Sequence, residues 1–247
     1  LAADQLKIEL GVEEFENIIV ASGTGFADAL AGSYLAVVKN APILLVNSYT
    51  VTDVAEYIGE NLASGGTVYL LGGNAAVPAS MEAELEGLYV ERLAGANRYE
   101  TNLMILEEAG FAGEEILVCT GNGFAGSLSA SAVGKPILLV YKKITDEQKA
   151  YLSTLSGNTF CVVGGTSAVP ENLAEAMKAY GDVSRLAGKD RLDTSILVAK
   201  KYFPDGVYAI AAHKGSILNP MKLQDYNLHH NPPGVSGDRI DIRLMYD

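Results

Sequence analysis

Histidine is scarce in this sequence. His213, His229 and His230 are the only three, all near the C-terminus and none repeated. There is no His-Glu-x-x-His, no Gly-x-Ser-x-Gly and no paired Cys/His spacing, so no nucleophile or metal cluster declares itself. His229-His230, beside Asn231-Pro232-Pro233, reads as a solvated turn. Cysteine is scarcer still. Cys119 and Cys161 lie inside the apolar runs ILVCTG and FCVVGG, which is the setting of buried free thiols. No apolar run reaches the roughly 18–20 residues that span a bilayer, so no membrane insertion is expected. Basic residues are outnumbered, 18 Lys and Arg against 30 Asp and Glu, for a formal net charge of −12. That excludes a general nucleic-acid binder, which needs a basic stripe to displace counterions. The N-terminal LAADQLKIEL has neither the basic segment nor the apolar core of a signal peptide.

What the sequence does have is a long internal repeat. IIVASGTGFADALAGSYLAVVKNAPILLV is echoed by ILVCTGNGFAGSLSASAVGKPILLV, VYLLGGNAAVP by FCVVGGTSAVP, and LYVERLAGANRYET by GDVSRLAGKDRLDT. The separation drifts slightly from Gly23/Gly121 through Gly72/Gly164 to Arg92/Arg185, as expected when loops gain or lose residues between two copies of one fold. A period of roughly ninety residues is the size of a small domain rather than of a solenoid unit.

Within the first copy, Ile18–Ala21, Ile43–Val46 and Val68–Leu71 read as strands; their unbroken apolar character predicts full burial. Helices are predicted from Ala27 to about Lys39, over Asp53–Leu62, and from Pro78 with Met81, Leu85 and Leu88 on its apolar face. The second copy repeats the order: strands Ile116–Cys119, Ile137–Val140 and Phe160–Val163, and helices from Ala125, Asp146 and Pro170. Strands alternating with helices predict an α/β fold whose parallel sheets are covered on both faces.

The repeated Arg-Leu-Ala-Gly segment reads as a structural joint. Asn97 and Asp190 each stand three residues before a carboxylate, Glu100 and Asp193, a variant of the capping box at a helix start. Arg92, Arg98, Arg185 and Arg191 are expected to hold carboxylates or carbonyls around that turn. LAADQLKIEL then reads as the tail of such a helix, so the chain is expected to begin inside a module. Leu192–Phe203 and VYAIAA read as the start of a third copy, after which the pattern fails. The expected organisation is a first module over 1–91, a second over 92–184, the start of a third over 185–212, and an unassigned tail over 213–247.

The ordered set strand–G-x-x-F-x-D-A-L, P-I-L-L, GG with V-P, and R-x-x-G-x-x-R-[YF]-x-T resembles the bacterial cell wall binding repeat 2 family. All of it is present in the first copy and nearly all in the second; Gly126 replaces Asp28, and Leu192 replaces Tyr99. The resemblance implies tandem small three-layer α/β modules of Rossmann- or Toprim-like kind that pack on one another, usually in threes. It also implies secreted Gram-positive proteins of the cell surface, including amidases and S-layer-associated proteins, held noncovalently to an anionic wall polysaccharide. The family's Pro-Ile-Leu-Leu segment, linked to that anchoring, maps to Pro42, Ile43, Leu44 and Leu45 and to Pro136, Ile137, Leu138 and Leu139.

Read without the resemblance, Pro-Ile-Leu-Leu is core strand. In parallel sheets ligands favour the crevice beyond the strand C-termini, where Asn47, Ser48, Tyr141 and Lys142 would lie. Asp28 and Lys142 join the binding candidates, with the backbone N–H groups of Gly23–Phe26 and Gly121–Phe124 and nearby Lys143 as donors. The competing reading is a nucleotide- or dinucleotide-dependent α/β enzyme using Gly23–Asp28. Asp28 stands there in place of the third glycine and would repel a phosphate, and no acidic ribose ligand follows the next strand. No catalytic residue, cofactor or metal ligand is assigned; the expectation is a binding module rather than an enzyme.

Overall fold

The computed structural model describes residues 2–111 and 113–204, and beyond them the strand segments 208–213, 216–217, 221–222 and 240–245. Two compact units emerge, Leu1–Ala112 with Thr145–Thr154, and Gly113–Ile144 with Leu155–Asp247.

In the first unit the chain runs α1 (Ala2–Leu10), β1 (Phe15–Ser22), α2 (Ala27–Ala31), α3 (Ser33–Lys39), β2 (Ile43–Val46), α4 (Val51–Asn61), β3 (Leu62–Leu71), α5 (Ala79–Glu84), β4 (Tyr89–Leu93) and α6 (Arg98–Ala109). The sheet order is β2-β1-β3-β4, parallel throughout, with Ile19 opposite Ile43 and Tyr69, and Leu71 opposite Leu93. Phe15, Ile18, Val20, Val68, Leu70, Met81 and Leu85 form the core on one face. The central strands β1 and β3 carry unbroken apolar runs because helices cover both their faces.

The second unit repeats this plan with β5 (Glu115–Thr120), α7 (Ala125–Ser131), β6 (Ile137–Val140), β7 (Thr159–Val163), α9 (Glu171–Met177), β8 (Asp182–Leu186) and α10 (Arg191–Tyr202); α8 (Asp146–Thr154) lies between β6 and β7 in the chain but clusters with the first unit. There Phe111 meets Tyr34 and Tyr151 edge-on at 5.9 and 6.5 Å between ring centroids. The order β6-β5-β7-β8 is again all parallel. Cys119 on β5 and Cys161 on β7 are free, buried thiols, and burial pushes the Cys119 pKa up. The two sheets are separate, so this is an α/β fold in tandem modules.

Four features differ from the sequence expectation. The helix after Pro78 ends at Glu84, so Leu88 lies beyond it and is exposed. Each sheet has a fourth strand, β4 or β8, inside segments read only as an approach to the joint; both are edge strands with alternating exposure and charged side chains, unlike a buried apolar run. The helix from Ala27 is broken at Gly32, where an added Cβ would lie 2.4 Å from Leu71 Cδ1. Burial of the Pro-Ile-Leu-Leu strand also differs between copies. Ile137, Leu138 and Leu139 are 0% exposed, but Ile43 and Leu44 are half-buried and Leu45 is 56% exposed. Both β2 and β6 end their sheets, so the difference lies in what packs around them, which an unbroken apolar run cannot reveal.

Past α10, Tyr208–His213 (β9) is the central strand of an antiparallel sheet with Ser216–Ile217 (β10), Met221–Lys222 (β11) and Ile240–Met245 (β12). His229 and His230 lie outside the described residues.

Candidate binding site

The Arg-Leu-Ala-Gly segment ties the C-terminal end of each sheet to the helix that follows. Arg92 Nη1 donates to the carbonyls of Gly72 (2.8 Å) and Val77 (3.2 Å), while its Nε and Nη2 donate to Glu82 Oε2. Arg185 Nη1 donates likewise to Gly164 (2.8 Å) and Val169 (3.0 Å), and Nη2 to Glu171 Oε2. Both arginines therefore pin the turn after the third strand of their sheet. Gly95 and Gly188 are required for space: a Cβ would lie 2.2 Å from Glu100 Cβ in one copy and 2.4 Å from Asp193 Cβ in the other. Their N–H groups donate to Thr101 Oγ1 and Thr194 Oγ1. Asn97 Oδ1 accepts from the N–H of Tyr99 and Glu100, and Asp190 Oδ1 from Leu192 and Asp193, so both cap their helices. Arg98 lies over the Phe26 ring at 5.6 Å, and Arg191 over Phe124 at 5.9 Å.

These joints form one wall of a crevice in each unit. With strand order 2-1-3-4, the loops after the first and third strands leave in opposite directions, which opens a cleft at the switch point. In the first unit the cleft has a volume of about 530 Å³ and is lined by the loop Ser22–Asp28, by Gly73, Ala75 and Ala76, and by Gly95–Arg98. Its counterpart, about 330 Å³, is lined by Thr120 and Gly123–Gly126, by Gly164, Gly165 and Ser167, and by Gly188–Arg191. Asp28 is half-buried in the first crevice. Desolvation raises its pKa, and the Arg98 guanidinium opposes the rise.

Three of the four backbone donors expected in the first loop, at Gly23, Thr24 and Gly25, are already used. Gly23 N–H bonds to the Val46 carbonyl at 2.7 Å, and the N–H groups of Thr24 and Gly25 bond to Ser22 Oγ. Gly121 and Asn122 are similarly committed, to the Val140 carbonyl and Thr120 Oγ1. A phosphate loop needs these groups turned towards the ligand.

The structure separates the sequence candidates. Asp28, Asn97 and Arg98 meet in one crevice, and Asp190 and Arg191 in the other. Pro42, Ile43, Leu44 and Leu45 line a different feature, an apolar groove of about 630 Å³ between β2, α1, α3 and α4. Pro136, Ile137, Leu138 and Leu139 are buried. Lys142 sits in the loop after β6 with its Nζ 5.3 Å from the Tyr141 ring centroid, outside the lining of the second crevice. Arg92 and Arg185 support the crevice walls without lining them. Phe26, Phe124 and Lys189 also line the crevices; the two phenylalanines recur at matching places in the repeat, which is the signal that marks them in sequence.

The family profile for Cell wall binding domain 2 (CWB2) matches residues 2–82 and 92–174. The chain belongs to the CWB2 family. It is therefore a pair of tandem cell wall binding modules, a class of domain associated with the cell wall and surface of Gram-positive bacteria. It is 33% identical over 117 residues to N-acetylmuramoyl-L-alanine amidase LytC of Bacillus subtilis, covering 45% of this chain and 24% of that protein. To the amidase enhancer of the same organism it is 25% identical over 162 residues, 56% of this chain and 23% of the relative. Among solved structures, Cwp8 from Clostridium difficile superposes with a TM-score of 0.70 at 30% identity, covering 77% of this chain and 34% of that one. Cwp6 from the same organism gives 0.66 at 21% identity, over 78% and 32%, and shares the fold. The chain thus spans about a quarter of the curated relatives' length and about a third of the solved chains.

Proposed function

We propose that this CWB2 pair anchors a secreted protein noncovalently to the Gram-positive wall by binding an anionic wall polysaccharide, and that it does not itself catalyse a reaction. The observation that carries this reading is the recurrence of the same crevice in both units, each walled by a capped helix start and an arginine over a phenylalanine. The crevices are the proposed polymer contacts. The P-I-L-L segments act differently in the two copies. Pro42–Leu45 offer an accessible apolar groove to the polymer, whereas Pro136–Leu139 act by setting the position of β6. Lys142 adds an exposed cation beyond the end of that strand.

Long-range electrostatics oppose such binding. A chain of net charge −12 repels an anionic polymer, and screening over roughly 8–10 Å at physiological salt softens this without reversing it. Affinity must come from local contacts. The nucleotide-dependent alternative is disfavoured by two observations together: Asp28 lies where the phosphates would, and the N–H groups of Gly23, Thr24 and Gly25 are internally bonded.

Co-sedimentation with purified Gram-positive walls tests the proposal, with NaCl and EDTA titrations to separate lysine–phosphate contacts, cation bridging and neutral-sugar recognition. The wild-type chain should be retained. Arg98→Ala with Arg191→Ala should lower retention about tenfold, the scale of one charge-assisted hydrogen bond or slightly less, with its circular dichroism unchanged. Absence of retention by the folded wild-type chain in every buffer would sink the anchoring reading.

A further inference from the structure

The two crevices share a frame but not a charge. In the first, Asp28 lines the crevice with its carboxylate packed beside Gly72, where a Cβ would lie 2.6 Å from Oδ2. In the second, the matching residue is Gly126, where a Cβ would meet the Val163 carbonyl oxygen at 2.8 Å. No side chain fits at Gly126 without moving α7 from the sheet, so the second crevice is built without this carboxylate. On the rim the exchange runs the same way, with Ala96 in the first copy and Lys189 in the second. Asp28 and Arg98 are the charged residues lining the first crevice, and their formal charges cancel. The second is lined by Lys189, Arg191 and Asp190, and Asp190 is engaged in capping α10.

We propose that the two crevices take different chemical groups of the bound polymer. The first takes a neutral, hydroxyl-rich sugar residue and rejects anionic groups; the second takes the anionic group. This inference rests on the wall-polysaccharide reading above. The chemistry follows from the linings. A half-buried carboxylate accepts hydrogen bonds from sugar hydroxyls, and Arg98 beside it donates to ring or hydroxyl oxygens. The same carboxylate repels a phosphodiester or uronate more strongly than it would in open water, because the crevice has a lower dielectric. The first loop offers little to offset this, since its N–H groups at Gly23, Thr24 and Gly25 are already bonded. The second crevice is smaller, lacks the carboxylate, and brings two cationic side chains to its rim.

The test is amide chemical-shift mapping on the whole chain at pH 7 and constant ionic strength. Inorganic phosphate and sodium glucuronate serve as separate probes, to distinguish a phosphodiester from a uronate as the anion. In the wild type, at least one anion should shift Gly164, Gly165, Lys189 and Arg191 and leave Gly73, Ala76 and Ala96 in place. Lys189→Ala should weaken that response about tenfold. Asp28→Asn keeps the shape, removes the charge, and should bring the first crevice into response. If Asp28→Asn does not fold, Ala96→Lys at the exposed rim should produce the same gain. The inference is overturned if both crevices respond alike in the wild type, if the second responds to neither anion, or if the first stays silent in whichever variant folds. Wall retention is measured separately, so its loss with anion discrimination intact would count against anchoring and not against the division of the crevices.

Discussion

Arg92 and Arg185 do the same work with different partners. Arg92 ends on Glu82, four residues after Pro78, whereas Arg185 ends on Glu171, directly after Pro170. Aligned on the prolines, Glu82 faces Ala174 and Glu171 faces Ala79. The carboxylate has moved about one helical turn and stayed on the same helix face. The contacts to the turn carbonyls have not moved: Gly72 and Val77 in one unit, Gly164 and Val169 in the other. What the two copies hold in common is the arginine's grip on the backbone; the ion pair is adjustable. The energetics agree, because the glutamates are 49% and 69% exposed and such pairs contribute little, whereas turn carbonyls left without a donor cost more.

The sharpest way to break the equivalence of the copies is at the joint glycines. Gly95→Ala and Gly188→Ala both drive a Cβ against the backbone of the following helix, so each should destabilise its own unit by about 3 kcal/mol. Hydrogen exchange resolved by unit would measure this, and tolerance in one copy would show that the joints differ. Next in size, Arg92→Ala and Arg185→Ala should each cost about 2 kcal/mol in denaturant melts, against less than about 1 kcal/mol for Glu82→Ala or Glu171→Ala. The transplant Ala79→Glu in a Glu82→Ala background should recover the small loss; a double-mutant cycle reads it. Removing either cap, Asn97→Ala or Asp190→Ala, should cost about 1 kcal/mol, with loss of the helix-start amides' protection.

The smallest effect separates the copies by pH. Burial raises the folded pKa of Asp28 above its ordinary 3.8, so its ionised form is the one folding disfavours. That cost is absent at pH below the ordinary value and grows as pH rises through the window between it and the raised folded value. Asp28→Asn should therefore stabilise the first unit by about a few tenths of a kcal/mol at pH 7, after allowance for solvent screening, and by nothing at low pH. The second unit has Gly126 in this place and should show no such difference.

Much of this fold was legible in the sequence. The repeat fixed the tandem plan, the unbroken runs at Ile18–Ala21 and Ile116–Cys119 marked central strands, and the Asn/Asp spacing marked the caps. β4 and β8 escaped because an edge strand needs only one buried face, and YVERL and DVSRL carry charge on the other. The uneven burial of the two P-I-L-L strands was invisible for another reason: identical residues end the sheet in both units, yet are partly exposed in one and buried in the other. The crevices required three dimensions, since loops from Ser22–Asp28, Gly73–Ala76 and Gly95–Arg98 converge only once the strands are ordered. The motif residues that line them were visible; their convergence was not.

Both thiols of the chain, Cys119 and Cys161, sit at 0% exposure on neighbouring strands of the second sheet, and the first unit has none. Burial also suppresses the reactive thiolate of Cys119. A thiol-directed label is thus shut out while the second unit is closed and has no target in the first. Its rate of attachment is a clock for the opening of one module alone, read in the unaltered protein.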